Sequence, residues 1–81
     1  GEEFAVFVPC REITIMVATA ERIRKKVEKQ KFEKPLNSLR LTVSIGAILR
    51  KQNESLSDAL NRADIELYKA KNNGRNRVCS Q

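Results

Sequence analysis

The segment 39–49 places the strongest constraint on the fold. Its apolar side chains recur at every second position, with polar or small residues between most of them. A period of two is typical of a β-strand that buries one face. Gly46 lies inside this pattern, where a glycine weakens a strand, so we expect either a bulge or a helix that packs closely against the strand at this point.

Two helical patterns flank this strand. The first predicts an amphipathic helix over residues from about 12 to 30. The second begins with an N-cap signature, Ser55 followed by Asp58 three residues later, and ends at Asn73-Gly74, a favourable left-handed cap. Their apolar stripes consist of Ile13, Met16, Val17, Ala20, Ile23 and Val27 in the first, and Leu56, Ala59, Leu60, Ala63, Leu67 and Ala70 in the second. We interpret both stripes as core positions.

Two shorter apolar segments complete the pattern. Residues 3–8 are nearly all apolar, which predicts a central strand covered on both faces and ended by Pro9. Residues 75–80 predict a last short strand. The predicted order is strand, helix, strand, helix, strand, with loops at 31–38 and 51–54. Because the first strand has no preceding partner, we interpret the chain as one that begins inside a domain.

Charged residues at the two ends point to a nucleotide site. Glu2 and Glu3 form a carboxylate doublet directly before the first apolar run, and two carboxylates there suit a hard divalent cation. Lys71 and Arg75 flank the exit of the second helix, where cations suit phosphate groups. The alternative is an acidic turn before an edge strand and an ordinary helix cap, and spacing alone does not decide between the two.

Composition narrows the class of protein. The 81 residues carry a net charge of +6, which raises the possibility of nucleic-acid binding, but the cations are spread among acids and the stacking aromatics of RNA-binding sheets are not evident. No apolar run is long enough to span a membrane, and the acidic start is not that of a signal peptide, which says little about the intact protein. We expect a cytoplasmic domain, which includes the cytoplasmic domain of a membrane-anchored protein. Cys10 and Cys79 match no metal-binding pattern and are expected to be reduced.

Four motifs together resemble the GGDEF domains, the bacterial diguanylate cyclases. They occur in the family's order and spacing: Gly1-Glu2-Glu3-Phe4, Ala20-Glu21-Arg22-Ile23-Arg24, Leu41-Thr42-Val43-Ser44-Ile45-Gly46, and Arg62-Ala63-Asp64 with Leu67-Tyr68-Lys69-Ala70-Lys71 and Gly74-Arg75-Asn76-Arg77. The resemblance implies an α+β fold, a two-layer ferredoxin-like or polymerase-palm-like sandwich. It also implies that residues 1–81 are the C-terminal portion of one such domain, present as a partial β-α-β-α-β unit without the N-terminal half.

The resemblance implies an activity and a set of acidic site residues. The family joins two GTP molecules into cyclic di-GMP, by attack of a ribose 3′-hydroxyl on an α-phosphate with the help of Mg²⁺ or Mn²⁺. Glu2 matches the catalytic, metal-binding acid of the signature, and Glu3 matches a supporting catalytic acid. Gly1 matches a glycine whose side chain would otherwise collide with the nucleotide.

The same resemblance assigns the basic residues. Lys71 and Arg75 match two cations that contact the GTP phosphates, and Arg22 matches a secondary contact for inhibitory product in some members. The expected partners are GTP, a second GGDEF domain in a homodimer, and an upstream sensor domain. No specific nucleic acid and no membrane segment are expected. Tyr68 is expected in the core, and Glu66 stands where the family has a small residue, which predicts a change in packing.

Alternatives to an active cyclase remain at this stage. A degenerate GGDEF domain would act as a regulatory module that binds GTP or a protein partner without turnover, and a basic α/β module would bind nucleic acid in a salt-dependent way. The family's first-strand aspartate, its guanine-reading residues and its Arg-x-x-Asp motif all lie upstream of Gly1. We therefore expect the 81 residues alone to be inactive.

Overall fold

The computed structural model describes residues 3–81 and contains two helices on a small parallel sheet. The helices are α1, Ile13–Glu28, and α2, Leu56–Asn72; the strands are β1, Ile45–Ala47, and β2, Val78–Ser80. The two strands pair in parallel, with Ile45 opposite Val78 and Ala47 opposite Ser80. Helix α2 connects them, so β1-α2-β2 forms a βαβ unit and α1 packs against the same strands.

The boundaries of α2 follow from its terminal residues. The Ser55 hydroxyl accepts a hydrogen bond from the Asp58 amide at 3.0 Å, as the sequence predicts. At the other end Gly74 adopts a φ of 121°, and the Arg75 amide donates to the Ala70 carbonyl at 3.0 Å. In a Schellman cap this is the hydrogen bond that spans the larger number of residues. The helix ends here because Gly74 accepts the left-handed backbone that reverses the chain direction.

Gly46 lets α2 approach β1 closely. A Cβ atom at this position would lie 2.2 Å from the Ala63 carbonyl oxygen and 2.3 Å from the Leu67 amide nitrogen. Both obstacles are backbone atoms of the helix. The predicted close packing of a helix against the strand is therefore confirmed, and the mid-strand glycine has a steric cause.

The core is built from small side chains. Four alanines are buried, on both helices and on β1: Ala20, Ala47, Ala59 and Ala70. Glu66 is buried with them at 2% exposure, and its carboxylate accepts a hydrogen bond from Lys69 Nζ at 3.1 Å. The large residue thus occupies a packed position of α2, and its buried carboxylate is paired with the exposed Lys69 ammonium.

Two predictions about the apolar segments are wrong. Residues 3–8 are not a strand in the structure, and Phe4, Val6 and Phe7 are largely exposed instead of covered on both faces. A strand needs a hydrogen-bonding neighbour, and among residues 3–81 none pairs with this segment. The strand predicted at 39–49 is likewise paired only over Ile45–Ala47, where β2 lies alongside.

Tyr68 is also placed differently from the prediction. It is 67% exposed on α2 and is not in the core. The buried residues of this helix, Ala59, Glu66 and Ala70, define the face that meets the sheet, and Tyr68 lies outside that face.

The structure also bears on the predictions about the two cysteines and about membrane-spanning segments. Cys10 and Cys79 are both free thiols and half-buried. Neither α1 nor α2 has the length and apolarity needed to cross a bilayer.

Candidate functional site

The structure brings Glu3 close to the exit of α2. Lys71 Nζ lies 3.2 Å from Glu3 Oε2, a contact between residues that are far apart in the sequence. Lys71 is in the last turn of α2, directly after Ala70, the last residue of the predicted apolar stripe. Two of the predicted site residues, one from each end of the chain, are therefore neighbours.

A shallow cavity of about 140 Å³ surrounds this ion pair. It is lined by Glu3 and by one face of α2: Asp64, Leu67, Tyr68 and Lys71. These helical residues are three or four positions apart, so their side chains lie one above another. The exposed Tyr68 is thus a wall of this cavity, a role that its assignment to the core did not anticipate.

Arg75 lies directly after the cap of α2. The chain keeps a left-handed backbone for three consecutive residues, with φ of 121° at Gly74, 63° at Arg75 and 47° at Asn76. Arg77 Nε donates to the Arg75 carbonyl at 3.1 Å, and the Arg77 carbonyl in turn accepts from the Ile45 amide at 2.9 Å. The turn that carries Arg75 is therefore fixed to the start of β1, and its side chain is exposed.

Asn76 connects this turn to α1. Its side-chain oxygen accepts a hydrogen bond from Arg24 Nη1 at 3.1 Å, its side-chain nitrogen donates to Glu28, and its amide donates to the Ser44 hydroxyl at 3.2 Å. The sequence reasoning assigned no role to Asn76. An Asn two residues after a helix-ending glycine is the signal that was available, because Asn tolerates a positive φ.

Two acids hold Arg24 in place for this contact. Glu21 accepts from Arg24 Nε at 2.9 Å and from Nη2 at 3.1 Å, and Glu28 lies 3.6 Å from Nη1. The bidentate hydrogen bonds from Arg24 hold the pKa of Glu21 below its ordinary value. The Arg24 side chain, in the last turns of α1, is therefore held in the position in which it contacts Asn76 of the 74–76 turn.

A second ion pair anchors the other end of α2. Arg62 donates to Glu54 through Nε and Nη2, both at 2.7 Å, and Nη2 also donates to the Leu49 carbonyl at 2.8 Å. The hydrogen bonds from Arg62, with a further one from the Lys51 amide, lower the pKa of Glu54 to about 2. This bidentate pair fixes the loop between β1 and α2 and lies outside the cavity.

The cavity at Lys71 includes neither of the other predicted site residues that the structure describes, Arg22 and Arg75. Gly1 and Glu2 lie outside the described residues, so their predicted roles stay predictions. Arg22 is exposed on α1 and does not line the cavity at Lys71. Among residues 3–81 no group of three or more potential metal ligands comes together.

Comparison with known proteins places this arrangement in a family. Residues 1–77 match the diguanylate cyclase GGDEF domain. The match covers nearly the whole chain, and the chain belongs to the GGDEF family.

Several curated relatives are similar over almost all of this chain. Diguanylate cyclase DgcM of Escherichia coli K12 is 41% identical over 78 residues, which is 96% of this chain and 18% of the relative. Diguanylate cyclase A of Treponema denticola is 40% identical over 79 residues, 96% of this chain and 21% of the relative. The probable diguanylate cyclase DgcF of E. coli K12 is 45% identical over 83 residues, 96% of this chain and 26% of the relative. The chain thus spans about a fifth of the length of these proteins.

The fold agrees with a solved member of the family. The crystal structure of the GGDEF domain of DgcB from Caulobacter crescentus in complex with c-di-GMP aligns with a TM-score of 0.77 and 34% identity, over 86% of this chain and 42% of that one. The predicted fold class, part of a palm-like α+β domain, is confirmed by this likeness and by the family match.

Proposed function

We propose that this chain is the C-terminal portion of a diguanylate cyclase domain, which makes cyclic di-GMP from two GTP molecules. In this proposal Lys71 and Arg75 bind the triphosphate, and Glu2 and Glu3 act where the 3′-hydroxyl attacks the α-phosphate. The matched relatives that are named as diguanylate cyclases support the reaction class. The proposed dimer supplies the second GTP from a second GGDEF domain.

One observation carries the proposal. The Glu3 carboxylate and the Lys71 ammonium lie 3.2 Å apart although they come from opposite ends of the sequence. A nucleotide site divided between the two ends requires such proximity. An acidic turn and a helix cap with separate structural roles do not require it.

The electrostatics of this pair suit exchange with a phosphate ligand. The Glu3 side chain is 58% exposed and that of Lys71 35% exposed, so water screens their attraction. Exposed ion pairs contribute about 0–1 kcal/mol. A triphosphate carries more negative charge than a carboxylate, so Lys71 is able to turn from Glu3 to phosphate at little cost. Arg75 adds a planar group that binds phosphate oxygens in a bidentate manner.

A divalent metal ion fits the described residues only in part. Carboxylates such as Glu3 are the hard oxygen ligands that Mg²⁺ prefers. Residues 3–81 nevertheless hold no group of three or more potential metal ligands. We therefore propose that Glu2, with ligands from the upstream half of the domain, holds the Mg²⁺ or Mn²⁺. When bound, the ion would lower the pKa of the attacking hydroxyl and offset phosphate charge.

The test compares charge-neutral variants in the longer protein that carries this sequence. We expect Glu2→Gln to abolish formation of cyclic di-GMP from GTP and Mg²⁺, measured by chromatography, because a metal-binding carboxylate is lost. Glu33→Gln removes the same charge from an exposed loop position and serves as the matched control. Cyclase activity in Glu2→Gln equal to that of the control would refute the proposal.

A second measurement separates catalysis from binding alone. If the wild-type protein binds a non-hydrolysable GTP analogue but forms no cyclic di-GMP, the domain is a regulatory GTP-binding module and the cyclase proposal is wrong.

We propose a cytoplasmic site of action and an upstream sensor domain as the source of the signal. The 81 residues alone are expected to be inactive, so a purified 81-residue chain that makes cyclic di-GMP would contradict the proposed division of the site.

A further inference from the structure

We propose that Asn76 is a positioning residue that sets the affinity for the GTP triphosphate by holding Arg75 in place. This inference rests on the proposed role of Arg75 as a phosphate contact. It is carried by the contacts of Asn76 with Arg24, Glu28 and Ser44, which join the turn after α2 to α1 and to the residue before β1.

The backbone at Arg75 needs such support. Its φ of 63° is unfavourable for a side chain other than Gly, Asn or Asp. The neighbouring Asn76, with φ of 47°, tolerates this region, and it is also the residue whose side chain leaves the turn to meet α1. Arg75 therefore keeps its left-handed backbone because the neighbouring Asn76 is hydrogen-bonded to Arg24, Glu28 and Ser44.

The partners of Asn76 are themselves fixed. Arg24 is held by two hydrogen bonds to Glu21, at 2.9 and 3.1 Å, and its side chain is only 14% exposed. The backbone amide of Asn76 donates to the Ser44 hydroxyl at 3.2 Å. The turn is thus held by α1 and by the residue before β1, in addition to its attachment to the end of α2. For a planar, bidentate group such as Arg75, small displacements weaken phosphate binding.

Donor and acceptor directions at Asn76 provide a sharp test. Asn76→Asp keeps the shape and the acceptor for Arg24, but it sets a carboxylate against the carboxylate of Glu28. The double variant Asn76→Asp/Glu28→Gln restores a donor and an acceptor with their directions exchanged, and it leaves the net charge equal to that of the wild type. Both are compared with Arg75→Ala in the longer protein that carries this sequence, with KM for GTP, kcat and the thermal midpoint measured for each.

We expect Asn76→Asp to raise KM for GTP about tenfold with kcat little changed, because loss of the hydrogen bond to the charged Glu28 carboxylate displaces Arg75, the proposed ground-state contact with GTP. The double variant should return KM to within about twofold of the wild type. Arg75→Ala should raise KM at least as much as Asn76→Asp. If Asn76→Asp does not fold, Asn76→Gly removes the same side-chain contacts while keeping a residue that accepts a positive φ, and the same rise in KM is expected.

The outcomes separate this inference from the proposed function. If Arg75→Ala raises KM but Asn76→Asp changes only the thermal midpoint, Asn76 has a purely structural role and the inference is wrong while the proposed function stands. A raised KM in Asn76→Asp that the double variant does not restore also overturns it, because the bridge to Glu28 is then not the cause. An unchanged KM in Arg75→Ala refutes the phosphate contact itself, and the inference with it.

Discussion

Replacing Gly46 by alanine tests the close approach of α2 to β1. The added Cβ would lie 2.2 Å from the Ala63 carbonyl oxygen and 2.3 Å from the Leu67 amide nitrogen, whereas real Cβ contacts are not found below 3.0 Å. The helix would have to retreat by about 0.8 Å, the difference between 3.0 and 2.2 Å. A gap of this size removes a quarter to a half of the dispersion attraction of the atoms that face it.

The expected cost follows from that displacement. Overpacking a well-packed site costs about 1–3 kcal/mol, and we expect the upper end because the obstructing atoms belong to the backbone and have no alternative rotamer. If the 81 residues unfold as one unit, about 3 kcal/mol lowers the thermal midpoint by roughly 12 °C or more, and the shift is about half as large if they unfold together with the rest of a larger domain. Circular dichroism during thermal and urea unfolding of Gly46→Ala measures both quantities.

A double variant identifies the cause of the destabilisation. Leu67→Ala removes a neighbouring side chain but leaves the backbone amide that obstructs the new Cβ. Gly46→Ala/Leu67→Ala should therefore be no more stable than Gly46→Ala. Recovery of stability in the double variant would show that side-chain packing and not backbone contact explains the glycine, and a wild-type midpoint for Gly46→Ala would refute the steric argument altogether.

Two further predictions concern the start of α2. Ser55→Ala should lower the free energy of unfolding by about 1 kcal/mol in urea titrations, because the Asp58 amide loses the hydroxyl that caps it; Ser55→Asp, which also caps, should retain most of the stability, and equal loss in both would exclude capping. The Glu54–Arg62 pair predicts a pH dependence: the pKa of Glu54 falls from 4.5 to about 2 on folding, so its stabilising effect is complete above about pH 4.5 and is lost as the pH falls toward 2. Glu54→Gln should abolish this component of the stability difference, and parallel pH profiles of wild type and variant between pH 5 and 2 would contradict it.

The helices could be predicted from the sequence because their evidence is local. A repeat of 3.6 residues and a Ser-x-x-Asp cap lie within α2 itself, and the structure places α1 and α2 close to the expected bounds. The strand prediction at residues 3–8 was wrong because a strand also depends on a partner strand elsewhere, which the local pattern does not show. An apolar run predicts that a segment is buried, but it does not identify the strand or helix that packs against it.

The error at Tyr68 and the finding at Glu66 have one cause. Residue type suggested that the Tyr68 side chain is inside, but the phase of the helix places Glu66 on the buried face with Ala59 and Ala70 and leaves Tyr68 on the cavity side. Where residue type and helical phase disagree, the phase was correct here. Lys69 allows this arrangement because its exposed ammonium lies 3.1 Å from the buried Glu66 carboxylate.

The candidate site shows which parts of a function the sequence specifies. The order of the motifs indicated Glu3, Lys71 and Arg75 as site residues. No local sequence pattern shows that Glu3 and Lys71 lie 3.2 Å apart. That distance depends on the depth at which α2 packs, which the backbone contact at Gly46 determines. The same helix ends at Gly74, and the turn beyond it is held by Asn76 against α1. A retreat of α2 would therefore move Lys71 and Arg75 together, so we expect Gly46→Ala to weaken GTP binding as well as stability, whereas Ser55→Ala, at the far end of the helix, should affect stability alone.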